Sequence, residues 1–219
     1  QSDTFKNDER NMENIATSDS PYRFARLQEL LEENKPVTPL KAASILRNQK
    51  GLNNADLGMG NEMAINQLIA HHSVIFQPEK RMMYVSTSPW QCGKYMAYDL
   101  NKIFSDTVDF QHEIATRELT IPEDSFIRQK DFKQFMTYKQ LGKLIREKTK
   151  QKETIESDTL TLYETSNPSF YYVYEVLGDY YAAIRQTATA ITYWRKALTM
   201  PIPKQAEKVR IQQKINKKQ

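Results

Sequence analysis

Residues 61–100 read NEMAINQLIAHHSVIFQPEKRMMYVSTSPWQCGKYMAYDL. Within them, residues 68–76 (LIAHHSVIF) and 81–87 (RMMYVST) are β-prone runs separated by Gln77, Pro78, Glu79 and Lys80, the pattern of a hairpin. Side chains alternate along a strand, so Ala70, His72, Val74 and Phe76 face one way and Ile69, His71, Ser73 and Ile75 the other. Met82 and Tyr84 likewise oppose Met83 and Val85, and Tyr95 and Ala97 oppose Met96 and Tyr98 on a third expected strand. Neither face is wholly polar. The strands are therefore expected to be covered on both sides, in a layered sheet between helices.

The run from Ile65 to Leu100, with the preceding NDER (7–10) and SPYRFARLQELL (20–31) segments, resembles a known family. It is similar to the C-terminal portion of the acyl-coenzyme A:6-aminopenicillanic acid acyltransferase-like family of N-terminal-nucleophile (Ntn) hydrolases. The similarity spans about residues 1–105, roughly half the chain, and is run-long instead of a short diagnostic motif. It implies an αββα layered sheet and attack on an acyl-amide bond by a cysteine that autoproteolysis makes N-terminal. The cysteine's own α-amino group would act as base, and water or an amine would resolve the thioester. Acyl-coenzyme A is then a possible acyl donor, and no other cofactor is expected. In the broader Ntn group that includes acid ceramidase, an arginine follows shortly after an oxyanion-binding asparagine in an acidic setting. Arg10, beside Asp8 and Glu9, matches it and is the candidate catalytic residue, orienting the site or stabilising developing negative charge. Composition alone would make the same cluster a solvated loop, and Arg23 and Arg26 are weaker alternatives.

The chain departs from the family in its nucleophile. Its only cysteine, Cys92, is internal, and its first residue is Gln1. The nucleophile and the oxyanion asparagine are therefore expected on an upstream segment or subunit, and a signal peptide there would place the protein outside the cytoplasm. One cysteine excludes an internal disulfide and a cysteine-based zinc site. Lys and Arg total 31 against 27 Asp and Glu, and the basic excess lies in the tail 204–219, so no chain-wide field argues for nucleic acid. The tail, KQAEKVRIQQKINKKQ, lacks aromatics to stack on bases and reads as a solvated helix end. No apolar run approaches the roughly 20 residues that span a bilayer.

Outside the sheet the punctuation is helical. Residues 1–19 lack periodicity and read as a polar connecting segment. Ser20 and Pro21 start a helix over 21–34 with Phe24, Leu27, Leu30 and Leu31 on one stripe, and Thr38 and Pro39 start a second to about residue 48. The stretch 50–60 holds Gly51, Gly58 and Gly60 with Asn53 and Asn54, a turn back into the sheet. Residues 101–124, with Phe104, Val108, Phe110 and Ile114, show only weak periodicity. From Ser125 to about Lys152 a helix is expected with Phe132, Phe135, Met136, Leu144 and Ile145 on its packed side and Lys133, Lys139, Lys143 and Arg146 mostly on the other. Tyr174, Leu177, Gly178, Tyr181, Ala190, Trp194 and Ala197 follow the spacing of one tetratricopeptide unit. One unit cannot bury its own apolar face and must pack on neighbours, with a tail helix over 204–216 as one candidate.

The expected class is therefore α+β: residues 1–119 as part of an αββα Ntn-type layered domain, and 120–219 as a helical bundle with a tetratricopeptide-like hairpin. Cys92 with His71 or His72 and Asp99 is a poor thiol triad, because adjacent strand histidines point to opposite faces and no helix N-terminus activates the thiol. His71, His72 and His112 lack metal-ligand spacing, and no metal is expected. The function read here is a cysteine Ntn-type acyltransferase or amidohydrolase acting on a small acyl-amide, this chain inactive alone. The competing reading is a non-catalytic helical-repeat interaction module.

Overall fold

The computed structural model describes residues 8–109 and 111–218; residues 1–7 and Phe110, named above, lie outside the described residues. The hairpin forms around Pro78. Strands β1 (Val74–Gln77), β2 (Met82–Ser86) and β3 (Tyr95–Asp99) build an antiparallel sheet in that order. A 3-10 turn at Pro78–Lys80 makes the connection, with Arg81 in the left-handed region at φ 51°. The first strand is shorter than expected, because Asn66 Oδ1 accepts the Leu68 N–H at 2.9 Å and Leu68, at φ 51°, turns inward. Its side chain is fully buried among the C-terminal helices instead of the sheet.

One face of the sheet is covered. Ile75 lies opposite Tyr84 and Tyr84 opposite Ala97, and with Met82, Ser86 and Tyr95 these residues are buried. Helix α3 (Pro39–Leu46) packs there through Ala43, with Ala42 and Leu46 at its margin. The other face consists of two cross-strand rows, Val74, Val85 and Met96 beside Phe76, Met83 and Tyr98. None of the six is buried, and Phe76 is 64% exposed. The expectation that both faces are covered is thus corrected among the described residues. The helices after residue 130 put their apolar side chains into a different core, and among the described residues α3 is the helix that contributes to the sheet's cluster.

Before α3 come α1 (Glu9–Thr17) and α2 (Ser20–Glu33). The first is a correction to the irregular segment expected there. Asp8 caps it, its Oδ1 accepting the Arg10 N–H at 2.9 Å, and α1 forms although none of its residues is buried. Met12, Ile15 and Ala16 do lie at helical spacing, but the stripe is short and surrounded by polar residues, so the period is easily lost in the segment as a whole. In α2 only Leu30 and Arg26 are buried, and Phe24 of the expected stripe is 61% exposed. Thr38 caps α3 as its position suggested, accepting from Lys41 N at 3.3 Å. After β3 a short α4 (Leu100–Ile103) and a 3-10 turn at Arg117–Leu119 lead to Ile121, which pairs with Tyr95 through two 3.0 Å backbone bonds.

The C-terminal part is helical. A 3-10 turn at Ser125–Arg128 precedes α5 (Lys130–Gln151), so the single long helix expected from Ser125 is split. Phe135, Tyr138, Gly142 and Ile145 are its buried residues, whereas Met136 and Leu144 are partly exposed. A further helix, α6 (Ser157–Ser166), comes before α7 (Tyr171–Ala183) and α8 (Thr187–Leu198), which form the expected hairpin. Trp194 lies so close to Gly178 that a Cβ there would come within 2.4 Å of the indole, and Ala190 and Ala197 are fully buried. The hairpin is covered by α5 and by α9 (Gln205–Asn216), whose Ile211 and Ile215 are buried. Glu175, buried on α7, receives Arg210 bidentately at 3.1 and 2.9 Å and Lys214 at 2.7 Å, fastening α9.

Candidate functional site

Arg10 sits in the first turn of α1. Its backbone N–H is used by the Asp8 cap, its side chain is exposed, and it is held by no carboxylate among the described residues. No described thiol or imidazole is brought to it. Among the described residues nothing accepts from the exposed guanidinium. Arg23, in α2, pairs at 3.3 Å with Asp19, the residue just before that helix.

Arg26 is the arginine that the fold encloses. Its guanidinium is fully buried and donates to Asn48 Oδ1 at 3.4 Å, to Asn54 Oδ1 at 2.6 Å and to Glu29 at 2.7 Å. Glu29 also accepts the Asn53 N–H at 3.0 Å, and the Arg26 guanidinium, chiefly through this hydrogen bond, holds its carboxyl below the usual range. Asn53 and Asn54 both have positive φ, so the clamp secures a turn whose backbone most residues resist. Helical spacing gave no sign of this role. The turn formers at 48–54 were the only signal, and they show what an inward arginine at 26 could bond.

Cys92 is held in a turn that fits a thiol without making it reactive. Trp90 and Gln91 have φ of 44° and 57°, and a Cβ at Gly93 would lie 2.2 Å from Ser88 O, which restricts that position to glycine. Arg47 ties the turn to α3, donating to Gly93 O at 2.6 Å, Pro122 O at 2.9 Å and Gln91 O at 3.4 Å. Asn66 Nδ2 lies 3.3 Å from the sulfur. Burial first, then the Asp124 carboxylate, push the thiol up to about 11, so at neutral pH it is protonated. His71 and His72 are exposed, and His112 pairs with Asp109 at 2.7 Å on the surface. The elements of a thiol triad are thus dispersed.

The sheet's inner face holds a polar trio. Ser73 N–H donates to Ser86 Oγ at 2.7 Å, and the Ser73 and Tyr95 hydroxyls are in close contact. Burial raises the Tyr95 hydroxyl above its ordinary value, so it serves there as a neutral partner. The described residues thus present one exposed guanidinium at the N-terminal surface, an inert thiol and an incompletely covered apolar sheet face. No family model, curated protein or solved structure matches this chain.

Proposed function

We propose that this chain is the C-terminal part of a cysteine Ntn-type acyltransferase or amidohydrolase that acts on acyl-amide bonds, its nucleophile supplied by an upstream segment or subunit. The incompletely covered sheet face carries this reading. Six side chains in two cross-strand rows, four half-buried and two, Val74 and Phe76, exposed, are what a layered αββα fold leaves incompletely covered when its second layer is on another piece of polypeptide. The state of Cys92 supports it too, since a protonated, enclosed thiol is not the attacking group.

In this reading the upstream cysteine's thiol gives its proton to the α-amino group as sulfur bonds to the amide carbon. The carbonyl oxygen takes up negative charge, which Arg10 stabilises, and the amine leaves with the proton as the thioester forms. Water or a second amine then releases the acyl group. Acyl-coenzyme A fits as an alternative acyl donor, because its thioester delivers the same intermediate.

The interaction-module reading has less support. Among the described residues the faces of its one helical hairpin are packed by α5 and α9, and the cleft left between these helices is of a size for a small molecule and not for a partner helix. The test is to co-express the chain with the segment that precedes it and assay amide cleavage. Activity should appear only together, and Arg10→Ala should then lower the rate on the order of 10²-fold with the fold retained. Thioester formation by residues 1–219 alone, trapped with an activated acyl donor, would overturn the proposal.

A further inference from the structure

The acyl-transfer reading leaves one face of α5 without a task. Phe135, Tyr138, Lys139, Gly142 and Arg146 follow the i, i+3, i+4, i+7, i+11 spacing of a single helical face. Lys139 and Arg146, expected on the outer side of this helix, instead line the same cleft as Phe135 and Tyr138. It has a volume of about 460 Å³, within the range that takes a small organic ligand, and Tyr172 and Glu207 complete its far side.

The walls are aromatic. Phe135 and Tyr138 stack with centroids 5.8 Å apart, and Phe170 meets Tyr138 edge-on at 5.9 Å. Lys139 lies 4.4 Å over the Trp90 ring, and neither it nor Arg146 is paired with a carboxylate among the described residues. Gly142, buried on the same helix face, packs against Tyr163 behind the cleft. A Cβ there would stand 3.2 Å from Arg146 Nη1 and 3.4 Å from the Tyr163 hydroxyl, which is buried and has no hydrogen-bond partner among the described residues. Across the cleft, Glu207 Oε2 is likewise without a partner.

We propose that this cleft binds a small organic carboxylate with a flat apolar body, the carboxylate between Lys139 and Arg146 and the rings against Phe135 and Tyr138. Two cations seven residues apart on one helix face, unpaired among the described residues, attract a single anion, and the half-buried Tyr172 ring with the edges of Phe135 and Tyr138 supplies contact for a planar body. Two carboxylates also line the cleft, Glu62, which pairs with Lys204, and Glu207, and they disfavour a second negative charge on the ligand, which selects a mono-anion over a polyanion such as a nucleotide. The proposal stands independently of the acyl-transfer reading.

Calorimetric titration of the full chain with indole-3-propionate tests it, with indole-3-propanol as the uncharged counterpart. The acid should bind saturably at one site, and the alcohol about tenfold more weakly or worse. Lys139→Gln and Arg146→Gln should each weaken the acid by about tenfold to a hundredfold, with circular dichroism and melting unchanged because both side chains are exposed. No saturable heat up to roughly 10 mM acid, equal affinity for the alcohol, or unaltered affinity in both variants would each overturn the proposal.

Discussion

Cys92 shows how far a residue's surroundings can outweigh its type. A lone cysteine near two histidines suggests chemistry, yet burial and the Asp124 charge raise its thiol to about 11, above the usual value near 9.0. The sign follows from that direction. A group whose pKa is raised on folding contributes stability in full below its unfolded pKa and loses it as pH climbs through the folded one, here between about 9 and 11. At pH 8 the native thiol should therefore react with iodoacetamide about 100-fold more slowly than in the denatured chain, and the native rate should rise towards pH 11. Mass spectrometry of quenched samples measures both rates. Equal rates at pH 8 would mean an open thiolate and a different role for the turn. Arg26 makes the complementary point, because its charge is tolerated inside only where Asn48, Asn54 and Glu29 meet it.

In the sheet, positions on neighbouring strands have opposite consequences according to the face they take. Tyr84 faces α3 and is buried, while Phe76, on the adjoining strand's outer side, is mostly exposed. Tyr84→Ala should cost about 3–5 kcal/mol in denaturant melts of this chain. Phe76→Ser should change it by no more than about 0.5 kcal/mol, since little contact is lost. A large cost for Phe76→Ser would show that something in this chain already covers the outer face. With the upstream segment present the order changes: if that face receives a second layer, Phe76→Ser should weaken the association while leaving the isolated chain's melt alone.

Across the molecule, the sheet-bearing half and the helical half are joined by a few polar clamps. Asn167 holds Met59 in both directions, accepting its N–H at 2.9 Å and donating to its carbonyl at 2.8 Å. Asn61 reaches Pro201 O at 3.0 Å, and Lys204 pairs with Glu62. Leu68 and Cys92 meanwhile lie in the helical core. Asn167→Ala leaves a part-buried donor and acceptor of Met59 unmet, so it should cost about 1–3 kcal/mol. Near-ultraviolet and far-ultraviolet melts should shift together, and a shift confined to one of them would mean the halves unfold separately.

Local chemistry in the sequence specified the hairpin at Pro78, the start of α3 at Thr38 and the α7–α8 pair with its glycine against a tryptophan. Each rests on residues close together in the chain or on a short period, and such signals survive without knowledge of the partners. The tertiary structure decided the rest. It buried Arg26, bent residues 66–68 away from the sheet, left one sheet face incompletely covered and turned Lys139 and Arg146 into an aromatic cleft. Those outcomes depend on which distant groups arrive to meet a side chain. Period and composition state that a face is apolar or a residue charged, but only the packed chain shows what stands opposite it.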